Sequence, residues 1–530
     1  MKISLMNLRM LAGIQLCFGC LSFGQAPSIQ WQKSFGGTND DIAISVKQTV
    51  DGGFISIGTT YSIDGDVTGN HGGSSQEDCW ILKLDNTGNV QWKKCFGGTD
   101  RDAGGSVQQT SDGGYIFAGT SFSNDGDVSG HHGSNQSGDF WVVKLDGTGV
   151  IQWQKSLGGG DHESAFSVKQ TSDLGYIIAG SSQSNDGDVT GNHGYHDYWL
   201  LKLDSSGTIE WQKSFGGTGQ DAAWCVTQTS DGGFIVVGDS QSNDGDITGS
   251  HGSNDCWIVK LDYTGNMEWQ KSLGGTLGES GKTIERTNDG GYIVASFSSS
   301  NDGDVTGNHG YYDYWIVKLD SIGGILWQKS LGGTGYDGAW SIKQVSDNGY
   351  IVSGFTTSND GDVAGYHGAI YGDYWIIKLD SIANMQWQKC LGGTFDDESY
   401  SIQQTTDGGY ILSGNSQSND GDVTGHHGTN QYSDFWIVKL DNTNGINESY
   451  EIGLNINIFP SPFTNILSLQ FSSPQNTDAF LEIFNSIGES VVEKEIKLEN
   501  QTLDLSALTQ GIYFVSVKTE GGIFTEKIVK

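Results

Sequence analysis

Proline is nearly absent: the chain has four in 530 residues, none between Trp31 and Asp441, against 80 glycines. Tight turns over that stretch must therefore come from glycine at positive φ. Positive charge is also scarce, with 28 Lys and Arg against 63 Asp and Glu and a formal charge of −35. That balance argues against nucleic acid or any other polyanion as the natural partner. Fourteen of the bases recur at two strand positions, Lys33 and its repeats and Lys83 and its repeats, where they read as ion-pair partners on strand faces and not as a basic patch. Cysteine is rare, and the five that lie beyond residue 24 are an odd number, which excludes a complete disulfide framework. Counted outward from the turn at Asp85–Gly88, Cys79 and Cys95 fall opposite each other, so a cross-strand disulfide and a pair of small buried thiols are both open. Beyond the N-terminus no apolar run approaches the ~20 residues of a membrane span.

The N-terminus itself carries Lys2 and Arg9, then an apolar run of roughly fourteen residues from Met10 and Ser22-Phe-Gly24, the pattern of a secretory signal peptide. Residues 1–24 are expected to be removed, with cleavage near Gln25. Cys20 raises a lipoprotein alternative, but Cys17 stands where a lipobox prefers leucine.

What the chain has in abundance is repetition. A segment of the form Trp-Gln-Lys-Ser-Phe-Gly-Gly recurs with its Trp at residues 31, 92, 153, 211, 269, 327 and 387, at spacings of 58 to 61. Each copy holds four runs rich in β-branched and aromatic residues, divided by Gly-containing turns and without a helical period, for instance the runs beginning at Thr283, Tyr292, Tyr314 and Ile325. The seventh copy ends at Asp441 without its Trp-Gln-Lys run, and an unmatched one sits at the other end as Ile29-Gln-Trp-Gln-Lys-Ser-Phe-Gly-Gly37. An open solenoid needs no such exchange, whereas a ring does. The expectation is all-β: a seven-bladed β-propeller over residues 26–441, closed by its N-terminal strand and monomeric, then a linker at 442–455 and a small Ig-like β-sandwich at 456–530. The repeats resemble Gly-rich bacterial propeller repeats, with kelch and WD-repeat proteins as distant architectural analogues.

Two loops of each copy open on one face. One carries an acidic residue at a fixed place, Asp41, Asp102, Glu163, Asp221, Glu279, Asp337 and Asp397. The other carries Asp-Gly-Asp-Val-Thr-Gly-Asn-His-Gly, as at residues 302–310. Paired carboxylates two residues apart suit Ca²⁺, which makes calcium the candidate cofactor at Asp64 and Asp66, Asp125 and Asp127, Asp186 and Asp188, Asp244 and Asp246, Asp302 and Asp304, Asp360 and Asp362, and Asp420 and Asp422. Carboxylates that accept hydrogen bonds from loop amides are the alternative. The repeated His71, His132, His193, His251, His309, His367 and His427 sit one to a copy, so they read as loop braces bonded to a nearby Asp and not as one zinc site.

Seven-fold repetition itself argues against catalysis, because an active site gives different residues different tasks. Departures from the repeat are therefore informative. The loop after His-Gly is longer in copies 6, 7, 1 and 2, neighbours on a ring, and offers Gln76, Asn135, Gln136, Tyr371, Gln431 and Tyr432 as ligand-binding candidates for an extracellular glycan or protein. A second departure is Phe166, Trp224, Trp340 and Tyr400, aligned with Ile44, Gly105 and Lys282 in the other copies: these are packing between blades or aromatic platforms beside the axis. No Gly-x-Ser-x-Gly elbow, phosphate-binding loop or zinc-protease motif occurs, and His162-Glu163 is the only local acid/base pair to stand out. The expected function is a non-catalytic binding or adhesion protein. The alternative is an extracellular hydrolase or lyase that degrades polysaccharide or peptide with paired carboxylates on the same acidic face.

After residue 449 the repeat stops. Ile458-Phe-Pro-Ser-Pro462, Asn485-Ser-Ile-Gly488, Val491-Val492, Leu503-Asp-Leu-Ser-Ala-Leu508, Gly511-Ile-Tyr-Phe-Val515 and Lys527-Ile-Val-Lys530 follow in order. This set resembles the C-terminal sorting domain of type IX secretion cargo, with Ser461 where Asn is usual. The resemblance implies that residues 456–530 engage the type IX machinery and address the protein to the outer cell surface or the medium.

Overall fold

The computed structural model describes residues 25–368, 371–442, 456–471, 475–485, 490–519 and 522–530. The expected signal peptide at 1–24, with Cys17 and Cys20, and residues 443–455 of the expected linker lie outside them. The chain divides into two compact units, Met1–Asn442 and Thr443–Lys530.

In the first copy Asp41–Gln48, Phe54–Thr60, Asp78–Leu84 and Val90–Phe96 form an antiparallel four-stranded sheet, from inner to outer strand. Copies two to six repeat it. The seventh sheet takes Asp397–Gln404, Tyr410–Ser416 and Asp434–Leu440 from its own copy and Ile29–Phe35 from the N-terminus as its outer strand. Trp31 there pairs with Lys439 as Trp92 pairs with Lys83 in the first sheet. The second and third strands are buried on both faces, as a sheet covered by neighbours on either side requires. The third-strand Trp of every copy is fully buried, and rings from adjacent sheets meet edge-on or tilted, as in Tyr314–Trp375 at 4.6 Å. Trp80 of the first sheet meets Phe435 of the seventh in the same way at 4.8 Å. One apolar core contains Phe35, Trp80, Ile411 and Phe435 together.

The inner strand starts four residues before the point the sequence pattern marks. Every copy skips one residue between, for example, Ala43 and Ser45, so a β-bulge interrupts the alternation and hides the strand's first half. A bulge also overturns the Cys79–Cys95 disulfide. The register shifts between Lys83 and Leu84, which sets Cys95 opposite Trp80 and Cys79 opposite Phe96. The two side chains then leave opposite faces of the sheet, and both thiols are free.

The Lys83 row behaves as expected. Lys83 is 3% exposed, and its Nζ donates to Asp51 at 2.9 Å, to the Leu84 carbonyl at 3.0 Å and to Gln91 at 3.0 Å. The Lys33 row does not: among the described residues it makes no ion pair, and Lys94 donates instead to the Gly149 carbonyl at 2.7 Å. The outer-strand Lys94 meets the turn of the neighbouring hairpin at its carbonyl, with Asp146 of the same turn near enough to feel its charge but not paired with it.

The second unit has a three-stranded sheet of Ile456–Phe459, Ile466–Phe471 and Gln501–Asp504, and a four-stranded one of Gln475–Asn485, Ser490–Leu498, Ile512–Thr519 and Gly522–Val529. They share a core that includes Leu467, Leu481, Val515 and Ile528.

Candidate functional site

The acidic residue of each copy is the first residue of the inner strand and is fully buried, so the row expected on an exposed face lies inside the protein. Asp41 accepts from the Gly37 amide at 2.8 Å, from Ser62 at 2.9 Å and from Thr60. It thereby ties the Gly-Gly entry into the sheet to the sheet's second strand. Burial pushes the carboxyls of Asp41 and Asp397 up to about 7 and that of Asp102 up to about 6. A side chain added to Gly36 would meet Asp41 Oδ2 at 2.5 Å and Asp434 Oδ1 at 2.6 Å, so two buried carboxyls converge on this link from neighbouring sheets.

The His row braces loops in all seven copies. His71 Nδ1 lies 2.7 Å from buried Asp78, and the equivalent distances run from 2.6 Å at His193 to 3.2 Å at His251. The other ring nitrogen faces the second Asp of the next sheet's Asp-Gly-Asp loop, 3.7 Å away between His427 and Asp66 and 3.9 Å between His132 and Asp188. His132, His193, His251, His367 and His427 thus bridge two sheets.

The paired loop carboxylates have separate employments. Asp64 accepts from Thr38 N at 2.8 Å and Thr38 Oγ1 at 3.0 Å, and Asp302 does the same with Thr276 at 2.8 Å for both. The second Asp turns toward a glycine amide, 3.3 Å from Gly97 N to Asp127 and 3.2 Å from Gly274 N to Asp304. Among the described residues no three metal-ligating side chains gather. Two divergent carboxylates, each held by protein donors, fall short of the six to eight oxygens calcium takes. With these carboxylates bonded to protein donors the melting temperature is expected to be the same in chelator and in millimolar CaCl₂, whereas a rise of several degrees with the metal would support calcium held jointly by the carboxylates and backbone carbonyls.

The departures from the repeat gather elsewhere. The bulge residue of each inner strand is Ile44, Gly105, Phe166, Trp224, Lys282, Trp340 or Tyr400, and the last five touch in sequence from sheet three to sheet seven. Phe166 and Trp224 lie 4.3 Å apart, Lys282 Nζ sits 3.8 Å from the Trp224 ring and 5.0 Å from the Trp340 ring, and Trp340 meets Tyr400 at 5.4 Å. Phe297 adds a third ring to Lys282 at 5.4 Å. Burial lowers the Lys282 amine to about 8, against the opposing pull of Asp239, whose carboxylate is 4.0 Å away. Trp224 Nε1 also donates to Asp239, while Trp340 Nε1 is buried with no partner among the described residues. Tyr400 donates to Glu398 at 2.6 Å, and burial raises the carboxyls of Glu398 and Asp396. The sequence reading singled out the aromatic members but missed Asp239, Phe297 and Glu398. The available signal was the penultimate residue of the second strand, Thr59, Thr120, Ser181, Asp239, Phe297, Phe355 and Asn415, which also breaks the repeat.

The six loop candidates lie on four different sheets. Asn135, Gln136, Tyr371, Gln431 and Tyr432 are exposed, whereas Gln76 is half-buried at the end of the short 3₁₀ turn Gly73–Ser75. Tyr371 packs on Phe395 at 5.9 Å. Residues 369 and 370 of the copy-six loop lie outside the described residues. His162, the acid/base candidate, has a structural engagement: its Nδ1 accepts from the Gly138 amide at 2.9 Å and its Nε2 faces Ser164 at 2.9 Å.

The fold is thus that of an all-β protein with propeller-like repeats of four antiparallel strands and a separate C-terminal β unit. Residues 457–530 of that unit match the secretion system C-terminal sorting domain, and the chain is a type IX secretion cargo sent to the cell surface or the extracellular space. Over 174 residues the chain is 26% identical to the regulatory protein FlaEY of Caulobacter vibrioides, which covers 31% of this chain and 18% of that protein. Among solved structures it is similar to puromycin hydrolase, with a TM-score of 0.43 and 11% identity over 86% of this chain and 62% of that one. It is also similar to the PQQ-bound aldose sugar dehydrogenase of Streptomyces coelicolor, with a TM-score of 0.33 and 10% identity over 64% of this chain and 93% of that one. Likenesses this distant carry no argument about activity.

Proposed function

We propose that the chain is a non-catalytic binding or adhesion protein, exported by type IX secretion, whose repeats form a closed seven-bladed β-propeller that stacks a saccharide on the aromatic mouth of its axis. Support for the ring comes from the inner strands, each of which lies against the next, with Asp397–Gln404 against Asp41–Gln48. The same stitch recurs across that last junction: Gln48 accepts from Thr406 N at 2.8 Å as Gln109 accepts from Val50 N at 2.8 Å.

The observation that carries the binding reading is the arc from Phe166 to Tyr400. It gathers rings and polar groups at one spot, and among the described residues it leaves the Trp340 indole N–H unpaired. Flat apolar faces with a few convergent polar groups are what a sugar ring requires. Gln76, Asn135, Gln136, Tyr371, Gln431 and Tyr432 belong to the proposal as outer contacts. On a glycan array probed with the full chain, Trp340→Ala is expected to weaken binding about thirtyfold, the ~2 kcal/mol typical of an aromatic anchor. If no glycan is retained, or Trp340→Ala binds as the parent does, the reading is wrong.

The second reading, an extracellular hydrolase or lyase, draws on Glu398 and Asp396, two carboxyls raised by burial at the same mouth. Polysaccharide cleavage by the purified chain, lost in Glu398→Gln, would put that reading first.

A further inference from the structure

On the proposed ring the residue before the last of each inner strand, three places beyond the bulge residue, takes one level below the aromatic mouth, and donors dominate there. The protein carries 63 acidic residues, yet at this level it presents Lys47, Lys169 and Lys343 against one carboxylate, Glu285. Lys343 pairs with Glu285 of the adjacent sheet. Lys47 and Lys169 have no hydrogen-bond acceptor or carboxylate partner among the described residues, and both are half-buried. Burial, and after it repulsion from Lys169, lowers the Lys47 amine to about 7. Lys343 is lowered by burial and then by repulsion from Lys169 and Lys47.

The neighbouring amides add to the excess of donors. Gln108 Oε1 accepts from Gln170 N at 3.0 Å and Gln403 Oε1 accepts from Gln48 N at 3.3 Å. Their oxygens are thus committed to the backbone, and among the described residues their Nε2 groups are not. Partly desolvated cations such as Lys47 and Lys169, which have no counter-charge among the described residues, are costly unless an anion joins them.

We propose that this level of the axis is a binding site for one tetrahedral oxyanion, of phosphate or sulfate chemistry, held by Lys47, Lys169 and Lys343 and by the amides of Gln108 and Gln403. The site rests on the ring reading, because only a ring brings sheets one, three and six face to face. It is independent of what the aromatic mouth binds. The oxyanion has two sources, a free ion or the ester group of a small sugar that enters from the mouth.

Titration calorimetry on the full chain with inorganic phosphate, sulfate and glucose 6-phosphate tests it. One ion per chain is expected. The double variant Lys47→Met with Lys169→Met should bind at least about tenfold more weakly, while Glu285→Gln, which removes the competing carboxylate, should bind at least as tightly as the parent. The Met variants are also expected to melt higher than the parent without anion, since the repulsion is gone. A tighter fit for glucose 6-phosphate, whose increment alone disappears in Trp340→Ala, marks the ester as the source; equal affinities mark the free ion. The absence of saturable binding for all three probes, or an unchanged affinity in the Met variants, overturns the site. Because Trp340→Ala is expected to leave phosphate binding intact, failure here and failure at the mouth are told apart.

Discussion

Removal of residues 25–35 is expected to abolish cooperative unfolding of the repeat unit. Ile29–Phe35 is the outer strand of the seventh sheet, paired with Asp434–Leu440 from Ile29 opposite Leu440 to Phe35 opposite Phe435. Its Phe35 is 7% exposed and packs in the core that joins the first sheet to the seventh, and its Trp31 meets Phe54 of the first sheet at 5.7 Å. Gln32 accepts from the buried Trp436 Nε1 at 2.8 Å, a partner the indole loses with the strand. Loss of a buried Phe alone costs about 3–5 kcal/mol. The strand carries a second aromatic and a full ladder of backbone bonds besides, against a total stability of about 5–15 kcal/mol. The deletion also bares an apolar sheet edge, a template for association. A far-UV CD melt should change from one sharp transition to a broad one at much lower temperature, and protease should cut the repeats at native temperature. Addition of a peptide with the sequence of residues 28–37 should restore the transition, since an extended peptide can complete a sheet edge. A deletion variant that melts like the parent would mean that the seventh sheet does not need this strand.

The exchange behind that prediction was legible because it is a matter of counting: a Trp-Gln-Lys run missing after Asp441 and present at Ile29. The braces were legible too, since a His and an Asp at fixed spacing in seven copies imply one geometry, realised from His71–Asp78 to His427–Asp434. Register was not. A bulge adds a residue without leaving a mark on composition, so the inner strands began at Asp41 instead of near Ser45, and Cys79 moved away from Cys95. Burial was misjudged for the same reason. A carboxylate followed by small residues reads as a loop, but three donors from Gly37, Thr60 and Ser62 let Asp41 go inside. The aromatic arc was half legible: its rings break the repeat visibly, whereas Asp239 and Glu398 matter only because folding places them beside Trp224 and Tyr400.

Those buried carboxylates make stability depend on pH in a direction opposite to that of ordinary surface pairs. Asp41 and Asp397 are raised from 3.8 to about 7 and Asp102 to about 6, in each case mainly by burial, and the other raised members of the row include Glu163, Asp221 and Asp337. Their junction partners Asp78, Asp197, Asp313, Asp373 and Asp434 are raised as well. A group whose folded pKa exceeds its unfolded one binds protons more tightly when folded. Its stabilising contribution is complete below about 4 and is lost as the pH rises through 6 to 7. The hairpin carboxylates work the other way. Asp51, Asp112, Asp173, Asp231 and Asp289 lie near 2, chiefly through bonds from Thr and the buried Lys, so their contribution disappears as the pH falls from about 4 toward 2. They are half-exposed, and solvent screening keeps each one small. The melting temperature should therefore peak between about pH 4 and 6 and fall by several degrees from pH 5 to pH 8. Asp41→Asn, which cannot ionise, should lessen that fall at its own junction. A melting temperature that is flat or rising between pH 5 and 8 would show that the carboxyls ionise freely in the fold, and the junctions would then be held by charge-assisted hydrogen bonds instead of by shared protons.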